Sequence, residues 1–224
     1  MEAKREPGND RGHQDPPSPP QPPQKVGEVN RVVDQALRPL YEVNQLCIEL
    51  LVKAAWSERV DLPLVCQLRA GLRSMSAEAQ ARAAQKAFLL VDMEFTNSAS
   101  WKLLQNHSSR AISPSRSDYF PRSSAIQLTR ATLILLRHSI QSNASEACLL
   151  GVHPRVAELI GALSMSEIER VAERRGRYVR PRWEDRPAVW HELIQAACSP
   201  DIRRTREFCL HGLQLLTGDL LQIP

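Results

Sequence analysis

Aromatic residues make up only 5% of this 224-residue chain, and glycine contributes just nine. So thin an aromatic set implies a core of Leu, Ile, Val and Ala. So few glycines cannot supply the tight turns of a barrel or a sandwich. Alternating β-branched runs are scarce as well, which leaves the α-helix as the main element. An apolar run of about 18 residues, enough to cross a bilayer, occurs nowhere, so no contact with membrane is expected. The N-terminus is charged and Pro-rich with no apolar core segment, so a secretory signal is not expected and the reducing cytoplasm is the expected compartment. The cysteines (Cys47, Cys66, Cys148, Cys198 and Cys209) are odd in number and form no Cys-x-x-Cys, which argues against a disulfide scaffold or a structural zinc; buried thiols are expected instead. His107, His138, His153 and His191 lie far apart, with no cysteine or carboxylate at ligand spacing, so no metal ligands are assigned. Gly-rich phosphate loops, a Gly-x-Ser-x-Gly elbow and His-Glu-x-x-His are all missing. No catalytic residue is assigned and no enzymatic activity is expected.

What the chain has is Ala, Leu, Arg, Glu and Gln in quantity, 42% apolar residues, and a net charge of +4. The expected fold class is all-α. Residues 1–25 carry Pro16, Pro17, Pro19, Pro20, Pro22 and Pro23 and read as a disordered tail. A long amphipathic helix is expected over 26–56, kinked or split at Pro39. A second begins at 62, with Asp61 as N-cap and Pro63 in its first turn, and ends at Gly71. Ser74 or Ser76 caps a third, 88–95 is the best strand candidate, and 97–105 is a short helix. Residues 106–124, rich in Ser, Arg and Pro, read as a linker. Helices then follow from 124 to 141, up to 149, and from Pro154 to Ile160. Ser164 or Ser166 caps the next helix, which Gly176 terminates. Residues 178–183 are extended, Pro187 opens a helix to Cys198, and Asp201 caps a last helix through Leu216.

The chain also repeats itself. Gly71-Leu72-Arg73-Ser74-Met75-Ser76 matches Gly161-Ala162-Leu163-Ser164-Met165-Ser166, and each copy opens on an apolar helix and closes on a tryptophan, Trp101 or Trp190. The expected organisation is two tandem helical units, 26–105 and 125–224, each with a short extended arm.

The second unit, over 126–217, resembles FlhD, the D subunit of the bacterial flagellar master transcriptional activator. The resemblance rests on Leu150-Gly151-Val152, on Ala157-Glu158-Leu159-Ile160-Gly161-Ala162-Leu163-Ser164, on the run 168–173, and on Arg180-Pro181-Arg182-Trp183-Glu184-Asp185 in place of the family's aromatic–acidic arm. The first unit is more faintly similar, through Leu40-Tyr41-Glu42-Val43-Asn44 and 72–83. The resemblance implies a dimerising fold, so the fusion implies an intramolecular pseudo-dimer or self-association. Val179 stands where the family has an arm cysteine, so pairing would rest on strand contacts and apolar burial. Leu128, Leu133, Leu136, Tyr178, Val179 and Trp183 are the candidates for a dimer or partner interface.

Arg170, Arg174, Arg175, Arg177, Arg180, Arg182 and Arg186 fall within 17 residues, with Tyr178 and Trp183 interleaved. Guanidinium groups release counterions from phosphate and form bidentate bonds to guanine, so Arg174, Arg175, Arg177, Arg180 and Arg182 are candidate DNA contacts. The helices 189–198 and 202–216, joined by Ser199-Pro200, have the spacing of a helix-turn-helix, with Arg203, Arg204 and Arg206 on the first turns of the recognition helix. Trp190, Leu193 and Phe208 are expected in the core.

The resemblance implies a DNA-binding transcriptional activator subunit. It would act with an FlhC-like partner that itself carries zinc, present a surface to RNA polymerase, and switch on flagellar, conjugation or mobile-element genes. No cofactor is expected in this chain. The alternative is a protein-binding adaptor or anti-activator that does not touch DNA.

Overall fold

The computed structural model describes residues 24–58, 62–102, 119–143 and 145–221. The expected tail lies outside them apart from Gln24 and Lys25; so do Asp61 and the expected linker as far as residue 118. In order, the elements are α1 (Gln24–Trp56), α2 (Pro63–Ser74), α3 (Ala77–Ala84), β1 (Val91–Asp92), α4 (Ser98–Lys102) and α5 (Arg122–Ser142). They continue with α6 (Glu146–Leu149), α7 (Pro154–Gly161), α8 (Met165–Arg175), a 3-10 turn (Gly176–Tyr178), β2 (Arg180–Pro181), α9 (Pro187–Cys198) and α10 (Ile202–Leu221). The protein is all-α, with one two-stranded antiparallel pairing in which Val91 faces Pro181 and Asp92 faces Arg180. Among the described residues no helix is long and apolar enough to cross a membrane.

The chain divides into two compact units, 1–35 and 36–224. Of the first, only the opening turns of α1 are described. α1 is not split at Pro39. Within it the Gln35 carbonyl, four residues before Pro39, lacks an i+4 N–H.

The second unit has a single hydrophobic core running from Leu40 to Leu216. The expected separation of 26–105 from 125–224 is therefore corrected: the two stretches share one interior. The reason is that the short helices of the first stretch are covered by helices of the second. α2 and α3 both pack on α9, and α4 packs on α7. Gly71 does not end α2, which runs three residues further. Its bare Cα instead admits Ile194 of α9, whose Cγ2 would lie 3.3 Å from a β-carbon there. Leu62, rather than Asp61, occupies the N-cap of α2. The expected strand over 88–95 shrinks to two residues, because the Asn44 side chain, not a neighbouring strand, takes the Phe88 carbonyl and the Leu90 N–H.

The order long helix, short helix, short helix, strand, helix occurs twice, as α1-α2-α3-β1-α4 and α5-α7-α8-β2-α9, with α6 as an insertion. Pro63 and Pro154 occupy the first turns of α2 and α7. Ser76 caps α3 and Ser164 caps α8, the latter in a full capping box with Glu167. Each strand is followed by a non-glycine residue with positive φ, Glu94 at 57° and Trp183 at 56°. Each final helix then ties back by a tryptophan N–H: Trp101 donates to the Glu94 carbonyl at 3.1 Å, and Trp190 to that of Arg182 at 2.7 Å. The packing between the stretches is reciprocal in part: α3 also lies on α9, with no equal α8–α4 contact among the described residues. α2 lies on α9 while α4 lies on α7, and the two strands face each other antiparallel.

Candidate nucleic-acid interface

The arginines 174–186 leave α8 and pass through β2, and the local backbone sorts them. α8 buries Ile168 and Ala172 on one side, and Arg175 continues that side, so it turns inward while Arg174 stays exposed. Arg175 is 1% exposed. Its Nη1 and Nη2 donate to Ser100 Oγ at 3.1 Å, and Nη2 also donates to the Met93 carbonyl at 3.1 Å and approaches Glu94 Oε2 at 3.4 Å. The guanidinium is held between the rings of Trp101 and Tyr178, at 4.2 and 5.0 Å from their centroids. Burial pushes its pKa down to about 10, against the pull of Glu94, so it stays charged at neutral pH.

Arg182 is buried too. Its N–H donates to the Leu90 carbonyl, and its Nη2 to the carbonyl of Leu150 at 3.1 Å. Gly151 (φ +75°) leaves room for this guanidinium, since a β-carbon there would collide with Arg182 Nη1. Arg180 reaches across the strand pair to Asp92 Oδ2 at 3.0 Å and to Glu184 Oε1 at 3.2 Å. The assignment of Arg175, Arg180 and Arg182 as DNA contacts is thus corrected. Their charge is spent on carbonyls and carboxylates that join the two stretches of chain, because a guanidinium with five donors in a plane can satisfy several buried acceptors at once.

The interface residues move inward as well. Leu128, Leu133 and Leu136 are buried where α5 packs on α7 and α8; Val179 and Trp183 are buried too, and Tyr178 is half-buried over Arg175. None of the buried five is open to a separate partner. Trp190, Leu193 and Phe208 lie in the core as expected. Of the cysteines only Cys47 is buried; Cys66, Cys148 and Cys198 are exposed and Cys209 is half-buried, which corrects the expectation of buried thiols.

Five of the eight expected DNA-contacting arginines remain at the surface: Arg174, Arg177, Arg203, Arg204 and Arg206. Arg177 stacks on Tyr178 and donates to its hydroxyl at 2.9 Å. Arg203, Arg204 and Arg206 stand on the first turns of α10, which runs five residues past the expected Leu216. Asp201 Oδ1 accepts the Arg203 N–H at 2.9 Å, as a capping residue does. No acidic residue occupies that first turn, so the helix dipole and the three guanidinium groups place positive charge at the same end. α10 packs on α9, and its far end is anchored by Asp219, which accepts from Trp183 Nε1 at 2.8 Å and from Arg186 at 3.4 Å.

Sequence reasoning passed over the acceptors of this network. Asp92 lies within the strand candidate and Glu94 two residues on. An acid in so apolar a run (Phe88-Leu-Leu-Val-Asp-Met-Glu-Phe95) was the available signal that a buried cation lay opposite. Burial alone would raise the Asp92 pKa. The Arg182 and Arg180 charges, the Phe95 N–H and the Arg180 hydrogen bonds outweigh it and hold the carboxyl below its usual range. A depressed folded pKa contributes stability that is complete above the unfolded value, near pH 4, and is lost as pH falls through the folded one. Thermal melts of the parent protein are therefore expected to drop steeply in acid. Those of Asp92→Asn should start lower at neutral pH and fall less between about pH 4 and 2. Equal acid slopes would refute the role of Asp92.

Scans against protein-family models, curated proteins and solved structures find nothing that matches this chain.

Proposed function

We propose that the chain is two FlhD-like units fused into an intramolecular pseudo-dimer, and that it serves as a DNA-binding subunit of a transcriptional activator. The observation that supports this reading is the antiparallel pairing of β1 with β2, flanked by α2 on α9 and α4 on α7, between two stretches of similar element order. One chain then does what two subunits do in a dimer. The contact with nucleic acid falls to α10, through Arg203, Arg204 and Arg206, with Arg174 and Arg177 as further phosphate contacts. An FlhC-like zinc-bearing partner supplies sequence selectivity, and RNA polymerase is the downstream target.

A second reading, a protein-binding adaptor or anti-activator, is favoured by Ile202, Leu210 and Leu221, which are 64%, 63% and 80% exposed on that same helix. The two readings separate in a salt titration of DNA affinity by anisotropy, with and without the partner. In the first, the triple variant Arg203→Ala/Arg204→Ala/Arg206→Ala reduces the log–log salt slope by about 0.9 per lost phosphate contact and weakens binding at least about tenfold. If neither the protein nor its complex binds duplex DNA, the activator reading is wrong and the adaptor reading stands.

A further inference from the structure

Helix α10 closes over a buried charge that nothing in the DNA reading uses. Lys86 sits just after α3 and is wholly buried. Its Nζ donates to one acceptor, the Arg82 carbonyl, at 2.9 Å, and lies 6.0 Å from the centroid of the Phe208 ring on α10. Among the described residues, two of the three protons of an ammonium find no oxygen there.

α3 brings Arg82, whose guanidinium turns away to the Ala197 carbonyl, and Glu78, which is exposed and pairs with Arg82. α1 brings Asn44 and Cys47, which bond to the backbone of 84–90. α10 brings Cys209, the group whose charge favours the ammonium. His211, also on α10, is engaged with Glu192 of α9 at 3.0 Å. Lys86 forms no ion pair among the described residues. The helix seals the site tightly: a β-carbon at Gly212 would strike the Phe88 ring, and Phe88 in turn meets Phe208 and Trp183.

We propose that Lys86 is a proton-operated latch for helix α10: burial under the closed helix disfavours the charged amine, so uptake of a proton favours release of the helix to water. Desolvation, which holds the Lys86 pKa below its ordinary value, supplies the coupling. Opening takes up one proton, so the opening constant grows as pH falls, by up to about tenfold per pH unit. The latch is independent of what α10 binds.

Native-state hydrogen exchange of the full chain from about pH 10, just below the ordinary lysine value, down to about pH 6, corrected for intrinsic rates, tests it. The expected result is that amides of 208–216 lose protection as pH falls while those of α5 keep theirs. In Lys86→Met the protection of 208–216 should be higher and flat with pH, and His211→Gln should retain the parent's slope. A flat profile in the parent protein, a slope that survives in Lys86→Met, a slope that His211→Gln abolishes, or equal loss across α5 and α10 each overturns the proposal.

Discussion

Arg175→Ala is expected to destabilise the protein by about 3–5 kcal/mol, the range for removing one partner of a buried, hydrogen-bonded ion pair. The substitution removes the donors to the Met93 carbonyl and Ser100 Oγ, takes away the cation paired with Glu94, and opens a void between Trp101 and Tyr178. For a chain of this length the melting temperature should fall by on the order of 10 °C. The same variant distinguishes a buried arginine from a surface one. Its effect lies in folding, and under conditions where it remains folded its DNA salt slope should equal that of the parent, whereas the α10 triple variant should melt normally and lose slope. A loss of under about 1 kcal/mol in denaturant titration would show that Arg175 is not the joint between α8 and α4 that the contacts describe.

Asn44→Ala is expected to cost a similar amount, about 3–5 kcal/mol, by a different route. Asn44 is fully buried on α1, in a face otherwise made of Leu40, Val43, Cys47 and Leu51. Its Nδ2 donates to the carbonyls of Ala84 and Phe88, at 3.1 and 2.9 Å, and its Oδ1 accepts the Leu90 N–H at 2.8 Å. One amide therefore satisfies three backbone groups of a segment that is neither helix nor paired strand. Each left unsatisfied in the core costs about 1–3 kcal/mol. Asn44→Asp should be no rescue, because it removes both donated bonds. The loss should appear first in the segment 84–90 and in α10, which rests on Phe88. Unfolding at the parent's midpoint for Asn44→Ala would contradict this account.

Much of the helical plan was legible. The serine caps, the prolines in first turns and the glycine after Ile160 act locally, within one turn of the residue that carries the signal, so Ser76, Ser164, Pro63, Pro154 and Pro187 open their helices as their spacing implies. The matching hexapeptides around Gly71 and Gly161 both fall where one short helix gives way to the next. Less legible was the fate of the arginines. Arg174 and Arg175 are neighbours of one type in one helix. One is exposed and the other is 1% exposed only because Trp101, Glu94 and Ser100 arrive from some 75 to 80 residues away.

The amino-acid order by itself determined the all-α class, the places where helices start, and the concentration of arginine near the second strand and on the last helix. These depend on periodicity, capping and charge along a few consecutive residues. Only the tertiary structure decided that the two copies share one interior, that Arg175, Arg180 and Arg182 serve as internal joints while Arg203, Arg204 and Arg206 face water, and that Lys86 lies sealed under α10. Burial and ion pairing arise from which distant acceptors a side chain meets, and that is a property of the folded chain rather than of any local window.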